Sequence, residues 1–176
     1  MATLIVSYSL TGNNQALAKG LATSLSAQHI RITEPKKRTT GTIALDVMLN
    51  RTPKIEPLQD RFGEYDVVMF VGPVWMGQVA APFRACFKQY GAKIDKYAYI
   101  SISGGAEGPN PKLKDELTKR LGKAPVAVVD LHIADLLPKE PKPERKDTSA
   151  YKINEKEVGQ LTESVVTSLK GSNLPI

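Results

Sequence analysis

The chain has one cysteine, two histidines and one tryptophan in 176 residues. With Cys86 alone, no internal disulfide can form, which agrees with a reducing compartment, and a cytoplasmic location is the expectation. Two histidines and one thiol, far apart, match no metal-ligand spacing, so no metal is expected. No apolar run approaches the ~18 residues that would cross a membrane. The first residues, MATLIVSYS, lack a basic stretch and a small-residue cleavage site and alternate like a strand, so no leader is expected. Aromatic residues make up 6% of the chain, and none is interleaved with the basic runs at 36–38, 112–120 and 139–146. The last two runs also carry acidic residues. The net charge of +6 is therefore read as solvated surface rather than a nucleic-acid face.

What is present is the composition of an ordinary globular domain, 41% hydrophobic and 24% charged. The length suits one domain, 1–176, with a single core. Five short apolar segments rich in β-branched residues read as strands: 3–9, 29–33, 65–72, 96–103 and 125–133. The third and fifth are nearly continuous in apolar character, as strands covered on both faces are. Helical stripes lie between them: Leu17, Leu21 and Leu25; Phe83 and Phe87 within Ala80 to Tyr90; and Leu113, Leu117 and Leu121. Asn110-Pro111 predicts the start of the third helix. A last helix is predicted from Glu155 to Leu169, with Val158, Leu161, Val165 and Leu169 inward and an Asn154–Glu157 capping box. Residues 34–64 are expected to hold one short helix near Ile43 to Leu49, and 138–150 to form an exposed extended loop. The alternation predicts a parallel sheet with helices on both faces.

In such sheets ligands sit beyond the C-terminal strand ends. The turn after strand 1, Ser7 to Gly20, reads SYSLTGNNQALAKG. It has no lysine between Ser7 and Leu17, so it is no Walker loop, and only Gly12 of a G-x-G-x-x-G fingerprint. What remains is a loop of hydroxyls and amides, Ser9, Thr11, Asn13 and Asn14, opening a helix. The free N–H groups and dipole of a helix N-terminus can hold a phosphate without a cation. An N-cap alone would need only one such side chain.

The stretch SLTGNN resembles the phosphate loop of flavodoxins, which reads Ser/Thr-x-Thr-Gly-Asn-Thr; Asn14 stands where that family has Thr. The segment 65–83, with Gly72-Pro73-Val74-Trp75-Met76-Gly77, and SISGGAEG at 101–108 resemble the family's second and third flavin loops. The resemblance implies a flavodoxin-like three-layer sandwich with strand order 2-1-3-4-5, and FMN as cofactor. It implies that Ser9, Thr11, Asn13 and Asn14 hold the phosphate, with backbone N–H groups from Leu10 to Asn14, Gly12 included. It places Pro73, Val74, Trp75 and Met76 beside the isoalloxazine, with Gly77 free to reorient its peptide toward flavin N5. Ser103, Gly104, Gly105 and Gly108 would cover the other ring edge, with Glu107 among them.

Each of these residues also has a plainer reading: Trp75 as a core residue at a strand end, SGGAEGPNP as a flexible connection, and 138–147 as an exposed connection rather than a docking loop. Cys86 reads as an inert packed thiol and the two histidines as strand residues. Three functions compete: an FMN-dependent oxidoreductase of the NAD(P)H quinone or flavin reductase kind, a flavodoxin-type electron carrier, and a module that has lost its flavin. The basic charge is opposite to that of acidic carriers and favours the first. The expected partner is a small-molecule or protein redox partner, with neither nucleic acid nor membrane involved.

Overall fold

The structure is a computed structural model and describes residues 2–36, 38–172 and 174. Five strands, β1 (Thr3–Ser7), β2 (Gln28–Arg31), β3 (Val67–Val71), β6 (Tyr97–Ser103) and β7 (Ala127–His132), form one parallel sheet in the order β2-β1-β3-β6-β7. Strand order reverses between β1 and β3, which lie side by side in register from Thr3↔Val67 to Ser7↔Val71. That reversal is the point at which an open α/β sheet leaves a crevice.

Strand alternation divides the core into two layers. Leu4, Val6, Phe70, Tyr97 and Tyr99 point to one face, where they meet Phe83 and Phe87 of α3 (Ala81–Tyr90) and Leu113 and Leu117 of α4 (Leu113–Leu121). Ile5, Met69, Ile100 and Ile102 point to the other face and meet Leu17 and Leu21 of α1 (Asn13–Ser24) and Val165 and Leu169 of α6 (Glu155–Gly171). The aromatic layer is cross-linked edge to face, Phe70 lying 5.7 Å from Phe83 and 4.9 Å from Phe87. Each fully buried Leu, Ile or Phe contributes ~1.5–3 kcal/mol.

The expected helix near Ile43 to Leu49 is α2, Thr40–Met48, capped reciprocally by Thr39 and Thr42. Its polarity is inverted: Asp46 is buried, while Leu45, Met48 and Leu49 are exposed. The Asn154–Glu157 capping box opens α6 as predicted. One element was not foreseen and two local expectations are corrected. A short hairpin, β4 (Val74–Trp75) and β5 (Gln78–Val79), intervenes before α3. Residues 138–150 are not extended throughout, because α5 (Arg145–Ala150) forms with Glu144 as its cap. Asn110 does not cap α4, whose first residue follows Lys112; its backbone N–H and its side chain donate instead to Asp130. No helix of the described residues is long and apolar enough to cross a membrane.

Cys86 is fully buried on α3, and burial pushes its thiol up to about 12. The folded protein should therefore resist a thiol reagent such as Ellman's until urea unfolds it. The folded thiol keeps its proton to higher pH than the unfolded one. Its contribution to stability is complete below the ordinary thiol pKa of about 8.5 and falls as the pH rises from there toward the folded value.

Candidate functional site

The first loop turns because Ser9 Oγ accepts from the Gly12 N–H at 3.0 Å and Gly12 takes a φ of 102°, in the left-handed region. Gly12 caps α1 with no side-chain bond, and no acidic residue occupies the first turn. The first intrahelical bond runs from the Ala16 N–H to the Gly12 carbonyl at 2.9 Å, so the N–H groups of Asn13, Asn14 and Gln15 have no helical acceptor.

The asparagine side chains serve the fold. Asn14 Nδ2 donates to the Ile102 carbonyl at 2.8 Å, and Asn14 Oδ1 accepts from the Ile102 N–H at 3.0 Å. Asn13 Nδ2 donates to the Tyr151 carbonyl at 2.9 Å, and its Oδ1 accepts from the Ile153 N–H at 3.3 Å. The side chains of Ser9, Asn13 and Asn14 shape the turn and tie it to its neighbours. Thr11 is exposed, and so is Leu10.

The second loop is the hairpin tip. Met76 and Gly77 have φ of 51° and 76°, the pair of positive values that a two-residue type I′ turn requires. Pro73 and Gly72 are held from below, their carbonyls 3.2 Å from the hydroxyl of fully buried Tyr99. Trp75 is half-buried, edge-on to Tyr8 with centroids 5.9 Å apart, and the Arg38 guanidinium sits 5.5 Å from its ring centre. The Arg38 side chain is buried and paired with Glu34 and Asp46, and Tyr8 donates to Glu34 at 2.8 Å. Burial alone would lower the Arg38 pKa, but its hydrogen bonds to both carboxylates outweigh that and raise it. Burial, and then the Glu34 contact, raises the pKa of Tyr8.

The third loop follows β6. Gly105, with φ 73°, passes so close to His132 that an added Cβ would lie 2.3 Å from the His132 Cβ. Asp130 organises the far side: it accepts from Ser101 Oγ, from Asn110 Nδ2 at 2.9 Å and from His132 Nε2 at 3.1 Å. These bonds tie down both ends of the loop. Both histidines are strand residues, as expected, His29 bonding Ser7 Oγ at 2.8 Å.

The three loops surround a cavity of about 700 Å³ at the C-terminal strand ends. From the first loop it is lined by Leu10, Thr11, Asn13 and Asn14, but not by Ser9 or Gly12. Pro73, Val74, Trp75, Met76 and Gly77 form one wall, so Trp75 faces the cavity while packing on the core. Ser103, Gly104, Gly105, Glu107 and Gly108 form another. Two walls were not foreseen: Ile43 and Ala44 of α2, and Arg145, Thr148 and Ser149 of α5. Arg145 pairs with Glu107 at 3.0 Å across the mouth. Lys152 donates to the Thr11 carbonyl. Arg145, Thr148, Ser149 and Lys152 all lie beyond the last strand of the sheet, whereas Ile43 and Ala44 come from the connection between β2 and β3. Among the described residues no group of His, Cys, Asp or Glu could hold a metal.

No protein-family model and no curated protein matches the chain. Solved structures do. A flavoprotein from Lactobacillus acidophilus, solved in complex with FMN, superposes with a TM-score of 0.64 at 22% identity, covering 73% of this chain and 92% of that one. A candidate flavoprotein from Bacteroides eggerthii gives 0.66 at 14% identity over 94% and 98%, and one from Bacteroides uniformis gives 0.67 at 15% over 92% and 97%. With the strand order set beside these, the fold is decided. The chain is flavodoxin-like in fold. Once the β4–β5 hairpin is set aside, its sheet has the order 2-1-3-4-5 of that fold. The hairpin and α5 both line the cavity.

Proposed function

We propose that the chain binds FMN in this cavity and acts as an FMN-dependent oxidoreductase of the NAD(P)H quinone or flavin reductase kind. The observation that carries the reading is the open N-terminus of α1. Its unclaimed N–H groups, free of any carboxylate, face a cavity whose other walls are a tryptophan and a glycine loop. The donor set suits a phosphate: backbone amides, the helix dipole and the Thr11 hydroxyl. A volume of about 700 Å³ is within the usual range for a cofactor site. The FMN complex of the similar Lactobacillus protein supports the choice of ligand.

Bound FMN supplies electron transfer in one- or two-electron steps. The chain's residues do the rest. Thr11 and the α1 amides hold the phosphate end. Trp75, braced by Tyr8 and Arg38, offers an aromatic wall for the ring. The loop from Ser103 to Gly108, pinned through Asn14 and Asp130, excludes water from the opposite edge. The basic net charge suits an anionic nicotinamide nucleotide as electron donor. Met76, 71% exposed, and Leu10 at the mouth favour a second reading, a carrier that docks on a protein partner through an apolar rim.

Added FMN should lose its fluorescence on mixing with the protein, with one site per chain, and Thr11→Ala should weaken FMN about tenfold while sparing riboflavin. No uptake at micromolar protein would rule the flavin out. Stopped-flow mixing of the loaded protein with NADH or NADPH then separates the two readings. Bleaching of the flavin band marks the reductase, and no bleaching with either nucleotide leaves the carrier.

A further inference from the structure

We propose that Lys152 is the cation of the phosphate seat and sets a preference for phosphorylated over unphosphorylated flavin. This rests on the FMN reading above. The loop from Ser7 to Leu17 contains no basic residue, so any cation must come from elsewhere in the chain. The fold brings one. The Asn13 side chain grips the peptide groups on both sides of Lys152, the Tyr151 carbonyl at 2.9 Å and the Ile153 N–H at 3.3 Å. The strap is fixed again one step on, where the Tyr151 hydroxyl donates to Glu157 at 2.5 Å in the capped first turn of α6. Lys152 is therefore held against the first residue of α1, and its ammonium reaches over the loop to the Thr11 carbonyl.

Its charge is uncommitted. Among the described residues no carboxylate lies within ion-pair distance of Lys152, which reaches the rim of the cavity at Thr11; of the two cations that line the cavity itself, Arg145 is paired with Glu107 at 3.0 Å and Lys112 stands after the third loop, at the start of α4. A neutral carbonyl is a weaker partner for an ammonium than a phosphate oxygen. An ammonium has three donors, so Lys152 can keep the Thr11 carbonyl and still bond a phosphate seated on the α1 amides. Asn13 acquires its meaning here: it meets no ligand with its side chain, but it positions the residue that does.

The test is a binding titration, followed by flavin fluorescence, of FMN and riboflavin on wild type, Lys152→Met and Lys152→Arg, at low and high salt. Lys152 is exposed, so neither change touches the core; melting of the ligand-free variants checks this. Lys152→Met should weaken FMN by about tenfold or more and leave riboflavin unchanged. Lys152→Arg should retain most of the FMN affinity. The salt dependence of FMN binding should shrink in Lys152→Met, because the cation that salt screens is gone. Unchanged FMN affinity in Lys152→Met, or equal weakening of both flavins, would overturn the proposal and leave the FMN site standing. Wild type that takes up neither flavin would overturn the FMN reading itself.

Discussion

Arg38→Met should destabilise the protein by about 3–5 kcal/mol in urea unfolding at neutral pH. The Arg38 side chain is 5% exposed and is shared between Glu34, before α2, and Asp46, within it. Removing it leaves two carboxylate side chains in a site with little water and, among the described residues, no other cation bonded to them; Arg84 meets Asp46 only at its backbone carbonyl. A buried pair adds little when complete, but a stranded charge is costly. Neutralising both carboxylates in the same background, with Glu34→Gln and Asp46→Asn, should recover much of the loss. Full loss in that triple variant would mean that Arg38 acts through packing. The chain's one tryptophan reports the event directly, because Arg38 lies over its ring: the Trp75 emission should change in Arg38→Met even where the protein is still folded.

Asn14→Thr, which installs the residue the flavodoxin motif has here, should cost about 2–4 kcal/mol rather than improve the site. β3 ends at Val71, so the backbone of Ile102 on β6 has no partner on that side. The Asn14 amide takes the missing strand's place, donating to the Ile102 carbonyl and accepting from its N–H. Asn14 is 3% exposed, so water cannot replace it. A threonine has one hydroxyl and cannot serve both groups at that reach. The Ile102 N–H should also exchange with solvent much faster in the variant, because its acceptor is gone. Equal stability and equal protection would show that a water or a shift of β6 takes over.

The strands and most helices could be read from the chain, because each carries its own apolar period and the two layers take alternate residues of every strand. The flanking loops could be read because small residues cluster where strands end. What escaped the sequence depends on partners far along the chain. Asn13 and Asn14 look like phosphate ligands locally, yet their side chains bind backbone 138 and 88 residues away. Asn110 looks like a cap, yet Asp130 claims it. The hairpin was hidden because its turn uses Met76-Gly77 rather than an asparagine-glycine pair. The wall from α5 was hidden inside a proline- and charge-rich run that reads as solvent-exposed.

The clamp between Asn13 and residues 151–153 also fixes an order of events during synthesis. Asn13 leaves the ribosome well before its partners Tyr151 and Ile153, which follow it by 138 and 140 residues. Until they emerge, the first loop has no strap and α6 cannot cover the α1 side of the sheet. The nascent chain can pair its central strands earlier, but the cavity is finished only once residues 151–153 have emerged. A ligand for this site is therefore held only after that strap has been made.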